Sequence, residues 1–260
     1  MWNRGDVDFV QTQQLAWGRV PDGLFCSGEL RKTLSAEPES GACTWLVQIR
    51  NAHRGTLPAG ADVYVLGGSG SLNDIPLGPD SYVFLAPGSS FTIKPDIGPL
   101  FLYVGFFGEP ALSAANGTDA ARSVAVDEGE WVAPTWTEGD SLGFGAFVKV
   151  LRNDSLGEAY AVFMRPGWAS PLEERHPNHE ESFRIYGDLL QGARGLMGPG
   201  AYSFRGPGVW HAPLYTRTGT MAFIRTSGPT VTEFREPAPE RSRVALASRA
   251  YAQFPAPSVT

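Results

Sequence analysis

Apolar residues in this chain fall in short runs, not at helical spacing. The first half carries Thr44-Trp45-Leu46-Val47-Gln48-Ile49, Asp62-Val63-Tyr64-Val65-Leu66, Tyr82-Val83-Phe84-Leu85 and Leu100-Phe101-Leu102-Tyr103-Val104-Gly105-Phe106. The second carries Ala146-Phe147-Val148-Lys149-Val150-Leu151, Tyr160-Ala161-Val162-Phe163-Met164, Ser182-Phe183-Arg184-Ile185-Tyr186 and Met221-Ala222-Phe223-Ile224. The runs are rich in β-branched and aromatic residues and are bounded by Gly, Pro, Asn and Asp, as strands in a buried sheet are. Many short strands at this spacing predict an all-β sandwich or barrel.

The pattern also repeats. Leu77-Gly78-Pro79-Asp80-Ser81-Tyr82-Val83-Phe84-Leu85-Ala86-Pro87-Gly88-Ser89-Ser90-Phe91 aligns without gaps on Met197-Gly198-Pro199-Gly200-Ala201-Tyr202-Ser203-Phe204-Arg205-Gly206-Pro207-Gly208-Val209-Trp210-His211. Lys32-Thr33-Leu34 falls opposite Lys149-Val150-Leu151 at nearly the same offset. The period is too long for a solenoid and implies two copies of one β domain. The expected boundaries are 1–115 for the first copy and 116–235 for the second, joined in the small-residue stretch 110–127. Residues 236–260 form a tail that begins Pro-rich and charged and ends as a short helix or a packed arm.

Composition narrows the partners. A formal charge of −6 and the absence of any Lys/Arg run argue against nucleic acid. No uncharged apolar segment approaches the length of a membrane span, and the N-terminus carries no basic flank followed by an apolar run. Cys26 and Cys43 match no metal or redox spacing and are expected to be buried thiols of a cytoplasmic protein. A small-molecule substrate is the default.

Candidate chemistry is confined to the second copy. Three of the four histidines, His176, His179 and His211, lie in Glu173-Glu174-Arg175-His176-Pro177-Asn178-His179-Glu180-Glu181 and Gly206-Pro207-Gly208-Val209-Trp210-His211. Imidazoles and carboxylates gathered this way suit a divalent first-row metal. Residues two apart on a strand share a face, which selects Glu174 and His176 on a strand 172–176. Pro177-Asn178 makes a turn, Glu180 leads into the next strand of a hairpin, and His211 starts another. His179 is a rival ligand, disfavoured because Pro177 opposes the helix that its spacing from His176 would need. In the first copy Phe91 stands where His211 does, and the counterpart of the His176/Glu180 segment, near 56–62, has no imidazole. His53 has the setting of a surface loop residue. Most second-copy aromatics are expected to be core, with Trp210, Tyr215, Phe183 and Tyr202 the candidates to line a substrate pocket.

These residues resemble the cupin superfamily. Its first motif places two His one residue apart, then a Glu and a Gly. Glu174-Arg175-His176, three residues, Glu180, six residues and Gly187 keep that spacing, with Glu174 in place of the first His. The second motif is matched by Gly200, Gly206-Pro207-Gly208 and His211, with Gly206 for a Pro and Tyr215 for a trailing Asn. The resemblance implies two jelly-roll barrels, a bicupin that often dimerises, with the N-terminal metal site degenerate. It also implies His176, Glu180 and His211 as metal ligands and Glu174 in the place of the fourth. A weaker similarity runs to anti-sigma-factor-type and acetylacetone-dioxygenase-type cupins. The expected function is a mononuclear non-haem iron dioxygenase on a small oxygenated substrate, with Glu180 or Glu174 as catalytic base. Two alternatives stand beside it: a non-catalytic sensor, and a redox-neutral Zn(II) or Mn(II) hydrolase, isomerase or lyase.

Overall fold

The computed structural model describes residues 4–108, 121–125, 129–134, 145–211, 213–242 and 246–247. All eight apolar runs are strands, within one to three residues of the expected ends, as in Cys43–Ile49, Leu100–Phe106 and Glu180–Gly187. The helical turns that accompany them are the short 3-10 segments Thr12–Gln14, Gly192–Arg194 and Pro239–Arg241. Among the described residues no helix is long and apolar enough to cross a membrane.

The chain divides into two compact units. The first comprises Met1–Gly5, Thr12–Glu130 and Leu151–Ala159, and the second Asp6–Gln11, Trp131–Val150 and Tyr160–Thr260. The boundary expected at 115/116 falls outside the described residues, as does most of 244–254. The first strand, Val7–Gln11, was assigned by sequence to the first copy; it instead pairs with Ala201–Arg205, at the edge of the second unit's sheet. A five-residue strand carries no signal for which sheet edge it will complete.

In the first unit a sheet of seven strands, ordered Ala121–Ala125, Ser81–Leu85, Ala61–Gly67, Leu100–Phe106, Cys43–Ile49, Leu30–Ala36 and Gly18–Arg19, faces a four-stranded sheet around Ser89–Pro95. Val63, Val65 and Val104 from one and Leu57, Phe91 and Ile93 from the other meet in one apolar core. Cys26 and Cys43 are buried thiols. The second unit's sheet runs Val7–Gln11, Ala201–Arg205, Glu180–Gly187, Thr220–Thr226, Gly157–Met164 and Ala146–Asp154, the last two strands belonging to it except for their segment Leu151–Ala159. Beside it stand a four-stranded sheet around Leu189–Gln191 and the pair Glu173–Arg175 with Glu233–Arg235.

The two units repeat one another residue by residue. Gly55 pairs with Phe91 in the first, and Glu174 bridges His211 in the second. Gly88 N donates to Leu57 O at 2.8 Å, and Gly208 N to His176 O at 2.7 Å. Each unit buries an acid held by a tyrosine and an arginine. Asp62 accepts from Tyr82 Oη at 2.6 Å and Arg152 Nε at 3.0 Å; Glu181 accepts from Tyr202 Oη at 2.6 Å and Arg225 Nη1 at 2.7 Å. A buried charge demands such partners, because losing one leaves the other unpaired in low dielectric.

The same correspondence explains the motif glycine. Gly68 and Gly187 both have positive φ, +83° and +77°, and a Cβ on them would lie 2.3 Å from Pro99 O and 1.9 Å from Gly219 O. Only glycine accepts this backbone beside that carbonyl. Gly187→Ala is expected to destabilise the protein by about 1–3 kcal/mol from the left-handed backbone alone, more once the carbonyl overlap is added. Urea unfolding midpoints of the two proteins measure this.

Candidate metal centre

The centre is built by three backbone devices. Glu174 N donates to His211 O at 2.8 Å and His211 N returns a bond to Glu174 O at 2.9 Å, so the two motifs meet as a closed bridge. The Gly208 bond to His176 O fixes the turn before His211. Glu180 opens the strand Glu180–Gly187 and sits directly opposite Arg205. His211 thus forms a single bridge rather than starting a strand. The expected hairpin is also different: Glu173–Arg175 pairs with Glu233–Arg235, not with Glu180–Gly187. The bend at Pro177 redirects the chain into another sheet.

One donor atom each from Glu174, His176 and His211 lies within 4.8 Å of the others. Glu180 completes the group, with Oε2 3.3 Å from His176 Nε2 and Oε1 4.0 Å from His211 Nε2. Glu174 Oε1 is 3.3 Å from His211 Nε2. Both imidazoles have Nδ1 against a backbone carbonyl, Val231 O at 3.1 Å for His176 and Val209 O at 3.2 Å for His211. Donation from Nδ1 leaves Nε2 as the nitrogen that faces the cluster and that, once deprotonated, offers its lone pair there, the tautomer that a metal ligand uses. His176 Nε2 is buried, with the Glu180 carboxylate 3.3 Å away. Ligands about 2.0–2.2 Å from a common ion stand about 3–4 Å apart, so the donor set fits a divalent metal.

Electrostatics hold the group together without an ion. Burial would raise the Glu180 carboxyl, but His176, His211 and Arg205 outweigh it and keep it far below the usual carboxylate range. Arg205 Nη1 donates to Glu180 Oε1 at 3.2 Å. Burial likewise opposes charge on His176, yet Glu180 and Glu174 push its imidazolium up to about 9.

A cavity of about 70 Å³ opens on the cluster. Glu174, His176, Glu180 and His211 form its polar end, and Val162, Met164, Trp168, Leu189, Leu214 and Ile224 its apolar wall. Ser182, Arg184 and Gln191 also line it and were not anticipated. Strand alternation from Glu180 reaches Ser182 and Arg184 on the same face, so that signal was present in the sequence.

None of the four aromatics expected in a pocket lines this cavity. Phe183 and Tyr202 stand opposite each other on the other face of the sheet, where Tyr202 donates to Glu181. The Trp210 ring packs against the guanidiniums of Arg175 and Arg235, at 4.8 and 4.0 Å. Tyr215 pairs with Ala169 and Leu190, while its neighbour Leu214 faces the cavity. His179 stays outside the cluster, its ring 5.7 Å from that of Phe204 and its Nδ1 beside Ser227 Oγ.

Solved structures share this architecture. A candidate dioxygenase from Nostoc punctiforme superposes with a TM-score of 0.75 at 18% identity, over 88% of this chain and 87% of its own. A Cupin 2 conserved barrel domain protein from Leptotrichia buccalis gives 0.54 at 9% identity, over 87% of this chain and 99% of its own. The fold is that of the cupins. Bacillus subtilis oxalate decarboxylase aligns with a TM-score of 0.57 at 12% identity, over 87% of this chain and 78% of its own. No protein-family model matches the sequence, and no curated protein does. The cupin likeness is therefore one of fold, and any chemistry of this chain rests on its own residues.

A metal must displace the His176 proton at neutral pH. Binding of Zn(II) or Mn(II) is expected to release close to one proton near pH 7 and to tighten as pH rises toward about 9. Calorimetry in buffers of different ionisation enthalpy reads that proton. The raised His176 value stabilises the metal-free fold fully below about pH 6.5 and ceases to do so as pH passes about 9. Metal-free protein should accordingly lose stability across that window in a thermal-melt series.

Proposed function

We propose that the second barrel is a mononuclear metal-dependent enzyme, a non-haem iron dioxygenase acting on a small oxygenated organic molecule. The observation that supports it most is the pair of buried imidazoles, each with Nδ1 on a carbonyl and Nε2 aimed at two carboxylates. His176, His211, Glu180 and Glu174 would hold the ion, a mixed nitrogen and oxygen set suited to Fe(II) or Mn(II). Bound there, Fe(II) supplies Lewis acidity and electrons for dioxygen.

The chain's own residues do the rest. Arg205 keeps Glu180 ionised and oriented. Glu174, whose carboxylate pairs with His211 among the described residues, is the freer of the two to take a proton from an enolisable or hydroxylic substrate. Val162, Met164, Leu214 and Ile224 exclude water from the reacting end. Oxalate decarboxylase, a structural neighbour, is described with Mn(II) centres, and the same donors would serve a redox-neutral reaction with that metal.

Elemental analysis of the purified protein is expected to find one divalent ion per chain, and His211→Ala to lower uptake at least tenfold. Oxygen consumption with a panel of diketones, catechols and hydroxy acids then tests the iron enzyme. A protein that holds no metal, or a His211→Ala variant that binds it undiminished, overturns the proposal. Metal-dependent turnover without oxygen uptake replaces it with the redox-neutral reaction.

A further inference from the structure

Arg184 is 2% exposed and lines the cavity. Its Nη1 donates to Thr220 Oγ1 at 3.2 Å, and its buried Nε finds no hydrogen-bond partner among the described residues. Gln191, 4% exposed on the four-stranded sheet, also lines the cavity, and its Oε1 is buried without a partner among the described residues. A guanidinium is a costly group to bury with a donor unmade. At the position corresponding to Arg184 the first barrel carries Val65, packed in its core.

Charge points the same way. A divalent ion would be offset by the Glu174 and Glu180 carboxylates. Two guanidiniums then remain in the buried site, Arg205 engaged with Glu180 and Arg184 hydrogen-bonded to neutral Thr220. Arg184 makes no ion pair with a carboxylate among the described residues, and Glu180 and Asp188 act on its charge only through space. The cavity is small, about 70 Å³, which suits a small molecule.

We infer that the substrate is a small carboxylic acid carrying a neighbouring hydrogen-bond donor, a 2-hydroxy acid being the simplest. Arg184 anchors its carboxylate, and Gln191 Oε1 accepts from the hydroxyl. The guanidinium fork suits a planar carboxylate, and a carboxamide oxygen accepts where a second carboxylate would repel the anion. The inference rests on the metal-centred reading only for the other end of the substrate, and the anchor itself needs no metal.

The test titrates glycolate, methyl glycolate and acetate into full-length protein by calorimetry, both loaded with Mn(II) and metal-free. Manganese stoichiometry is measured separately, so loss of the metal reading is visible on its own. Glycolate is expected to bind about tenfold to a hundredfold tighter than its neutral ester, with or without metal. Arg184→Met should remove that preference at unchanged Mn(II) stoichiometry, and Gln191→Leu should erase the preference for glycolate over acetate. Equal affinity for acid and ester, or an Arg184→Met protein that keeps the preference, overturns the anchor. Should that variant not fold, Arg184→Lys decides: its single ammonium should weaken glycolate at least severalfold, and undiminished affinity overturns the fork.

Discussion

The site depends on keeping the Glu180 carboxylate charged inside a β-barrel. Burial alone would drive it neutral, and a neutral acid would neither orient His176 nor serve as a metal ligand. Arg205 on one oxygen and His176 on the other prevent this. Arg205 is available because it stands directly across the ladder from Glu180. Cross-strand register therefore decides which cation meets which anion.

The first barrel shows what the same frame does without that pair. At the positions of His176, Glu180, Arg205 and His211 it carries Leu57, Ala61, Leu85 and Phe91, all within one apolar core. Phe91 packs on Phe25 with ring centroids 4.9 Å apart. One backbone thus supports either a packed interior or a polar cavity. The acid–tyrosine–arginine group on the opposite face is retained in both, Asp62 with Tyr82 and Arg152, and Glu181 with Tyr202 and Arg225. That group is common to both barrels, and the inward group is what differs between them.

Strand alternation carries most of the site's logic. Along Glu180–Gly187 the even residues Glu180, Ser182 and Arg184 face the cavity, and the odd residues Glu181 and Phe183 do not. The same alternation removes Tyr202 and Phe183 from the pocket and assigns them to the other face. Aromatic character by itself is uninformative here, since a ring is equally at home in a core, against a guanidinium, as with Trp210, or beside a ligand.

The all-β class and the doubled architecture are legible in the order of residues alone, and so is the choice of Glu174, His176, Glu180 and His211 as candidate ligands. Period-two apolar runs, turn residues at fixed offsets and ligand spacing are all local along the chain, so they are legible without coordinates. Long-range packing places Val7–Gln11 on the second unit's sheet, pairs Glu173–Arg175 with Glu233–Arg235, and brings Arg184 and Gln191 to one cavity. Each of these depends on which sheet edge or strand a segment meets far along the chain, and alternation names a residue's face without naming what lies across from it.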